Sequence, residues 1–487
     1  MALGPRPLRQ AHFEISGDEY ATSELAPMKR WMYVIPAAAL AMSLALCAAD
    51  ALTSASPKEV QRSLDAFVAT APGAVVIVGL VNHGVTRIYT AGTPAAGAPP
   101  LNASTEFQIG SITKTFTATL LAEMVKSGKV HLDDPIGKYL PAGTHAPAYN
   151  GQQITLLSLS EQNSGLPEMP ANFAPSKADD PYADYGTPRL YDFLGSYALT
   201  RAPGATFEYS NVGVGLLGTL LANAAHTDYA SLVSSGVLKP LGMNETSASI
   251  TPQIRSRLMP GFTQGLTPSP AWTLTGLAGA GALNSSMHDM LLYLKANMEA
   301  PSGRLGSAMA FAQKPRSDTT LAPFMKIGLN WFTNVNSHIT WHNGETGGYH
   351  AFLGFDRAAG AGIVVLANVA SFRVDDLAIH LLAPKTNPTS PVIATPPPAV
   401  LPHGDSPYVG IYQLSPAFTI TIFEDDGILY GQGTKQPQFS LTLRSGTTYK
   451  VAGVDATITF VLDSAGHVTS LVLHQNGLDV RGTLVKP

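Results

Sequence analysis

Between residues 384 and 403 the sequence is rich in proline and nearly free of charge, with Pro396, Pro397 and Pro398 in succession. Each proline removes a backbone donor and fixes φ, so neither a helix nor a central strand runs through such a stretch. The chain must therefore fold as separate units on either side of an extended linker. At 487 residues it is also too long for one ordinary domain. The expected division is a large unit over 57–383, a linker over 384–403 and a small unit over 404–487.

The two sides differ in hydrophobic rhythm. Beyond the linker, short alternating runs recur at Phe418–Phe423, Ile428–Tyr430, Phe439–Leu443, Thr457–Val461 and Val468–Leu473, separated by Asp426-Gly427, Ser445-Gly446 and Asn476-Gly477. Regular turn signals between short strands predict a small all-β barrel or sandwich. Before the linker the periods are mixed. Ala74–Leu80 and Val85–Tyr89 around Asn82-His83-Gly84 predict a hairpin, while Ala351–Phe355 and Ala361–Ala367 predict strands. Helical spacing predicts helices over 111–130, 213–225 and 287–298, the first with Phe116, Leu120, Leu121, Met124 and Val125 in one stripe.

Upstream of the large unit, Lys29-Arg30 precede an apolar run from Trp31 to Leu46 and then Ala48, Ala49 and Ala51. A positive start, an apolar centre and a small-residue cleavage region predict a secretory signal over 28–51, and with it an exported, periplasmic protein. The alternative is an uncleaved segment anchored in the inner membrane, although Pro36 and the shortness of the run count against a spanning helix. The residues before Met28 fit no export pattern, which makes Met28 a second candidate start. Cys47 is the single cysteine, so neither an intramolecular disulfide nor a thiolate metal cluster can form.

Three segments carry residue types suited to nucleophilic chemistry. Ser111 and Lys114 lie one helical turn apart at the start of the first predicted helix, hence on one face. A serine hydroxyl needs a neighbouring base, and a lysine supplies one only where its surroundings lower its pKa. Read alone, Ser111 fits a helix cap equally well. Tyr209-Ser210-Asn211 precedes the second helix; a phenol beside an ammonium can act as a base, and an amide can hold a substrate carbonyl or the lysine. Trp341 to Tyr349 precedes a strand and contains Gly344, Gly347 and Gly348, which let backbone approach a ligand closely. An edge strand there could pair with an extended substrate amide.

In this order and context the three segments resemble the Ser-x-x-Lys, Tyr-x-Asn and Lys/His-x-Gly motifs of the serine β-lactamase and penicillin-binding protein family, in its class C β-lactamase branch. Phe107 to Thr117, Leu132 to Pro141, Asn163 to Pro167 and Pro240 to Met243 agree with it, and the resemblance spans roughly residues 60–385. It implies an α/β (α+β) fold, an antiparallel sheet flanked by helices with an all-helical subdomain and a cleft between them. Ser111 would be the nucleophile, Lys114 and Tyr209 the proton-handling pair, and Asn211 a contact to the substrate amide. His342 would be the electrostatic, carboxylate-side residue, with Gly344 beside it. The backbone N–H groups of Ser111 and Glu345 would form the oxyanion hole. Tyr209, its pKa lowered by Lys114, is expected to activate the deacylating water.

One departure bears on substrate. His342-Asn343-Gly344 stands where class C β-lactamases have Lys-Thr-Gly, a variant familiar in DD-carboxypeptidases and D-aminopeptidases. The small unit resembles the β domain often appended to such hydrolases, on Asp455 to Phe460 and Leu473 to Gly477.

The expected function is hydrolysis of β-lactam amides through an acyl-enzyme on Ser111. The alternatives are a D-Ala-D-Ala carboxypeptidase or endopeptidase, an esterase, or a penicillin-binding protein that does not turn over. A small-molecule β-lactam or D-Ala-D-Ala peptide is the expected partner, with no cofactor and no metal. A formal net charge of -4 with 13% charged residues gives no basic footprint for nucleic acid. Neither a Gly-x-Ser-x-Gly elbow nor a His-Glu-x-x-His helix occurs, which removes the sequence support for an α/β-hydrolase or a zinc hydrolase.

Overall fold

The computed structural model describes residues 55–69, 71, 73–383 and 402–486, the last span apart from 416–417, 426, 435–437, 452–455 and 476–477. The expected signal over 28–51 and the linker up to residue 401 lie outside the described residues. Among the described residues no helix is long and apolar enough to cross a membrane.

Helix α1 (Pro57–Ala69) leads into a hairpin of β1 (Val76–Asn82) and β2 (Val85–Ala91). His83 and Gly84 both adopt positive φ, 46° and 80°, the two-residue geometry whose twist matches that of paired strands. Helices α2 (Thr113–Lys126), α3 (Asn211–Ala224), α4 (Met287–Glu299) and α5 (Arg304–Gln313) follow. The chain then forms β3 (Ser317–Asp318), β4 (Met325–Ile327), β5 (Phe332–Asn334), β6 (Thr340–Glu345), β7 (His350–Asp356) and β8 (Ala361–Ala367), and closes the unit with α6 (Arg373–Leu382). These strands make one eight-stranded sheet in the order β2-β1-β8-β7-β6-β5-β4-β3, so the N-terminal hairpin docks on the last strand. Every pairing in it is antiparallel.

Alternation along the central strands divides the core. Val76, Val78, Ile363 and Val365 face Val60, Leu64, Leu377 and Leu381 of α1 and α6. Ile77, Leu353, Val364 and Leu366 face the other way, toward a core that includes Phe116 and Leu120 of α2 and Met287, Leu291 and Leu294 of α4. Burial of β8 on both faces explains why its sequence is an unbroken apolar run.

The first predicted helix differs from its expected form. A 3-10 turn over Gly110–Ile112 precedes α2, which ends at Lys126. The expected stripe is only part of what is covered, because Thr113, Lys114, Thr115, Thr117 and Thr119 are buried as well. Helices α3 and α5 and the short helix Ala278–Gly281 enclose α2. Leaving a buried hydroxyl unpaired costs about 1–3 kcal/mol. The threonines avoid that cost: Thr115 Oγ1 donates to Ile112 O at 2.7 Å and Thr117 Oγ1 to Gly279 O at 2.7 Å.

The small unit is a closed barrel of β9 (Gly410–Ser415), β10 (Phe418–Asp425), β11 (Ile428–Gly433), β12 (Gln438–Ser445), β13 (Thr448–Val451), β14 (Ala456–Leu462), β15 (Val468–Gln475) and β16 (Leu478–Lys486). Pairing of β9 with β16 closes it, leaving no free sheet edge. Its core gathers the inward set of the alternating runs, including Tyr412, Ile420, Ile422, Ile458, Phe460 and Leu471.

Candidate active site

Ser111 lies in the 3-10 turn, and the residue that caps α2 is Ile112, with no side-chain cap bond. The helix-cap reading of Ser111 is thereby corrected, and its hydroxyl is left for Lys114. Lys114 is fully buried. Its Nζ lies 2.7 Å from Ser111 Oγ, 2.8 Å from Asn211 Oδ1 and 2.8 Å from Ala280 O. Burial lowers its pKa to about 7, with the Glu168 carboxyl opposing the shift. A neutral amine has two protons and one lone pair. Asn211 Oδ1 and Ala280 O can only accept, so they take the protons, and the lone pair is left facing the Ser111 hydroxyl.

Asn211 is free for this contact because Ser210 does the capping of α3. Ser210 Oγ accepts from Gly213 N at 2.8 Å and donates to Pro167 O at 2.6 Å. Tyr209 presents a half-buried ring 4.9 Å from Lys114 Nζ, with its hydroxyl on the Ser111 side. The expectation that Lys114 lowers the Tyr209 pKa is overturned. Burial pushes the phenol well above its ordinary value; the Ser111 contact opposes this and the Glu168 carboxyl adds to it. A lysine that has itself lost much of its charge cannot hold a phenolate.

Trp341 to Glu345 was expected to lead into a strand; these residues are strand, in β6. Strand β5 pairs with β6 only at Thr340 and Trp341, so the rest of that edge is open. On its other side β6 pairs with β7 up to Glu345 opposite His350. Thr346 N donates to Tyr349 O at 3.0 Å at the hairpin end. In antiparallel alternation the adjacent Glu345–His350 pair is then the non-hydrogen-bonded one, which turns the Glu345 N–H toward the open edge. A Cβ on Gly344 would stand 2.0 Å from Ile109 O and 2.6 Å from Ser111 N, so only glycine lets this strand close on the Ser111 turn. A Cβ on Gly110 would stand 2.6 Å from Glu345 N. The N–H groups of Ser111 and Glu345 thus lie at one place, as two donors for an oxyanion require.

His342 shares the site-facing side of β6 with Gly344 and is fully buried. Its Nδ1 donates to Asn343 O at 2.6 Å, and its Nε2 has no partner among the described residues. Burial, with the Lys114 charge adding to it, lowers its pKa to about 3. His342 is therefore a neutral ring near neutral pH, with Nε2 as an acceptor.

The structure thus brings Ser111, Lys114, Tyr209, Asn211, His342, Gly344 and Glu345 together. Sequence reasoning missed the Ala280 carbonyl, the close approach at Gly110, and Glu168, whose pKa burial raises to about 7 against the opposing Lys114. It also missed the bond pair that His350 makes behind β6. The signal for His350 was available, as the one ring nitrogen in the otherwise apolar run His350 to Phe355.

Glu245, His288 and Asp289 form the one group of described residues with potential metal-ligand atoms within 4.8 Å of one another. Their oxygens are already engaged: Asp289 Oδ2 accepts from Glu245 N and Thr246 Oγ1, and Glu245 Oε2 accepts from Ser286 Oγ.

A family model described as Beta-lactamase matches residues 60–384, and one described as a domain of unknown function (DUF3471) matches residues 394–483. The D-alanyl-D-alanine-carboxypeptidase/endopeptidase AmpH of Escherichia coli is 33% identical over 229 residues, 47% of this chain and 57% of that protein. Protein flp of Staphylococcus aureus is 29% identical over 286 residues, 57% of this chain and 56% of that protein. The chain thus spans little more than half the length of these relatives. A β-lactamase/D-alanine carboxypeptidase structure from Yersinia pestis, complexed with citrate, matches with a TM-score of 0.59 at 22% identity, covering 68% of this chain and 99% of that one.

Proposed function

The chain belongs to the beta-lactamase family, and on that footing we propose that it is a serine hydrolase that forms an acyl-enzyme on Ser111. The observation that carries the reading is Lys114 Nζ at 2.7 Å from Ser111 Oγ, with a pKa of about 7. At neutral pH a substantial fraction of the lysine is an amine able to take the serine proton as the acyl bond forms. Tyr209, protonated and beside Ser111, acts as a relay that carries the proton onward to the leaving group. The N–H groups of Ser111 and Glu345 receive the oxyanion.

The proposed substrates are amides of the β-lactam and D-alanyl peptide class. Within that class we favour D-alanyl peptides over β-lactam turnover, because His342-Asn343-Gly344 stands where class C β-lactamases have Lys-Thr-Gly. The likeness to the carboxypeptidase/endopeptidase relative supports the same preference. An exported protein, led by the segment over 28–51, fits such substrates and is proposed with them.

The test mixes purified protein with a chromogenic cephalosporin and, separately, a D-Ala-D-Ala peptide, following product release and intact mass. A covalent adduct on Ser111 that is absent from Ser111→Ala is the expected result. An adduct elsewhere, or one that persists in Ser111→Ala, overturns the assignment.

A further inference from the structure

Behind the site, on the α6 side of β6, lies a chain of polar groups that none of the proposed steps uses. His350 is fully buried, with Nδ1 at 2.9 Å from Glu345 Oε2 and Nε2 at 2.8 Å from Asp375 Oδ1. Asp375 Oδ2 in turn accepts from Asn343 Nδ2 at 2.6 Å. Asp375 stands in the first turn of α6, where the helix N-terminus favours a carboxylate. The network therefore ties two alternate residues of β6 to a neighbouring strand and to a helix.

Both ring nitrogens of His350 meet carboxylate oxygens, and a carboxylate can only accept. Both nitrogens must then carry protons, which makes the ring an imidazolium. The charged groups around it come from each element packed there: Glu345 of β6, and Asp375, Asp376 and Arg373 of α6, with the Phe372 ring edge-on at 5.1 Å. Burial opposes the charge, but the two carboxylates outweigh it and raise the His350 pKa to about 10.

Glu345 is the residue whose backbone N–H faces the open edge beside Ser111. Its side chain could otherwise swing a negative charge toward the place where an oxyanion develops. In antiparallel register Glu345 and His350 are direct partners across a non-hydrogen-bonded pair, the spacing at which side chains approach most closely. The imidazolium holds that carboxylate on the far face, and Asp375 fixes Asn343 two residues earlier.

We propose that His350, clasped between Glu345 and Asp375, is a positioning residue for acylation: it aims the Glu345 N–H at the developing oxyanion and keeps the Glu345 carboxylate away from it. The inference rests on the acyl-serine reading above. It assigns His350 and Asp375 to the reaction although neither touches the substrate.

The test compares His350→Gln and Asp375→Asn with the unaltered protein, using single-turnover acylation by a chromogenic cephalosporin or penicillin across pH 6 to 10.5. Circular dichroism checks the fold of each variant. Loss of one aligned oxyanion donor costs on the order of 10²-fold, so His350→Gln should acylate at least about tenfold more slowly while initial substrate affinity changes far less. Asp375→Asn keeps the shape but removes one of the charges that hold the imidazolium. Its acylation should therefore come closest to that of the unaltered protein near pH 6 and fail at a lower alkaline pH, a shift that a merely structural contact would not produce. If the unaltered protein acquires no label on Ser111, the hydrolase reading falls and this inference with it. If it labels normally while His350→Gln labels at the same rate, or Asp375→Asn keeps the same alkaline limit, this inference alone is overturned.

Discussion

The two faces of the paired strands β6 and β7 hold histidines in opposite states. His342, toward Ser111, and His350, opposite Glu345 on the α6 side, are both fully buried. Burial alone disfavours the cation in each. At His342 only a backbone carbonyl opposes it, and the ring is neutral with a pKa of about 3. At His350 two carboxylates reverse the outcome and the pKa rises to about 10. Lys114 belongs with His342, for its three partners are neutral oxygens and its pKa falls to about 7. The comparison shows that residue type does not set charge at this site. The side that meets substrate is stripped of fixed positive charge so that protons can move, while the rear side keeps a fixed cation as a fastener.

The most direct way to break the contrast is to remove the partner that His350 shares with Asn343. Asp375→Ala leaves a buried ring nitrogen and the Asn343 amide unpaired. Breaking a buried ion pair by deleting one partner costs about 3–5 kcal/mol. Denaturant unfolding should show a stability loss of that order, with cephalosporin acylation falling even where the protein remains folded. A loss below about 1 kcal/mol would show that the pair behaves as a solvated one and that the two faces do not differ as described.

A smaller effect, spread over pH, sharpens the same contrast. The folded pKa of His350 is raised above its ordinary 6.5, so its contribution to stability is complete below that value and is lost as pH rises through about 10. Lys114 has the opposite sign. Its folded pKa lies below its ordinary 10.5, so the unfolded chain binds the extra proton, and stability rises with pH between about 7 and 10.5. The two slopes oppose each other in the unaltered protein. Each is at most ~1.4 kcal/mol per pH unit. Lys114→Met should expose the falling slope between pH 7 and 10, and His350→Gln the rising one, both measured by unfolding at a series of pH values. Parallel profiles in the two variants would contradict the assignment of charge.

Much of the site is legible in the sequence because three short segments carry it. Ser111 and Lys114 need only a helical turn to meet, and Tyr209, Asn211, His342, Gly344 and Glu345 follow from motif order. What escaped notice depends on packing across the fold. Ala280 reaches Lys114 from a four-residue helix with no polar side chain to mark it. Asp375 meets Asn343 across 32 residues through the docking of α6 on the sheet. The Tyr209 expectation failed for a related reason: it assumed a charged Lys114, and the burial that lowers the lysine also raises the phenol. In the fold, the alternating runs beyond the linker announced strands, but they did not decide between barrel and sandwich. That outcome rests on the pairing of β9 with β16, whose sequences lie at opposite ends of the unit.

The smallest expected effect concerns His342 and bears on substrate. If its ring were an imidazolium, it would hold the carboxylate of a D-Ala-D-Ala peptide, and removing it would penalise the acid far more than the corresponding C-terminal amide. With its pKa at about 3 the ring is neutral throughout the working range, and its Nε2, without a partner among the described residues, is an acceptor. An acceptor offers nothing to a carboxylate, which is itself only an acceptor. His342→Gln keeps a polar group that can accept, so kcat/KM should fall by less than about tenfold, the scale of one neutral hydrogen bond, and by the same factor for acid and amide. The measurement is kcat/KM for the peptide pair, in the unaltered protein and in the variant, at pH 6 and pH 8. A selective loss on the acid, larger at pH 6 than at pH 8, would mean that substrate binding restores the charge on His342. The contrast between the two faces of this strand pair would then hold only for the free enzyme.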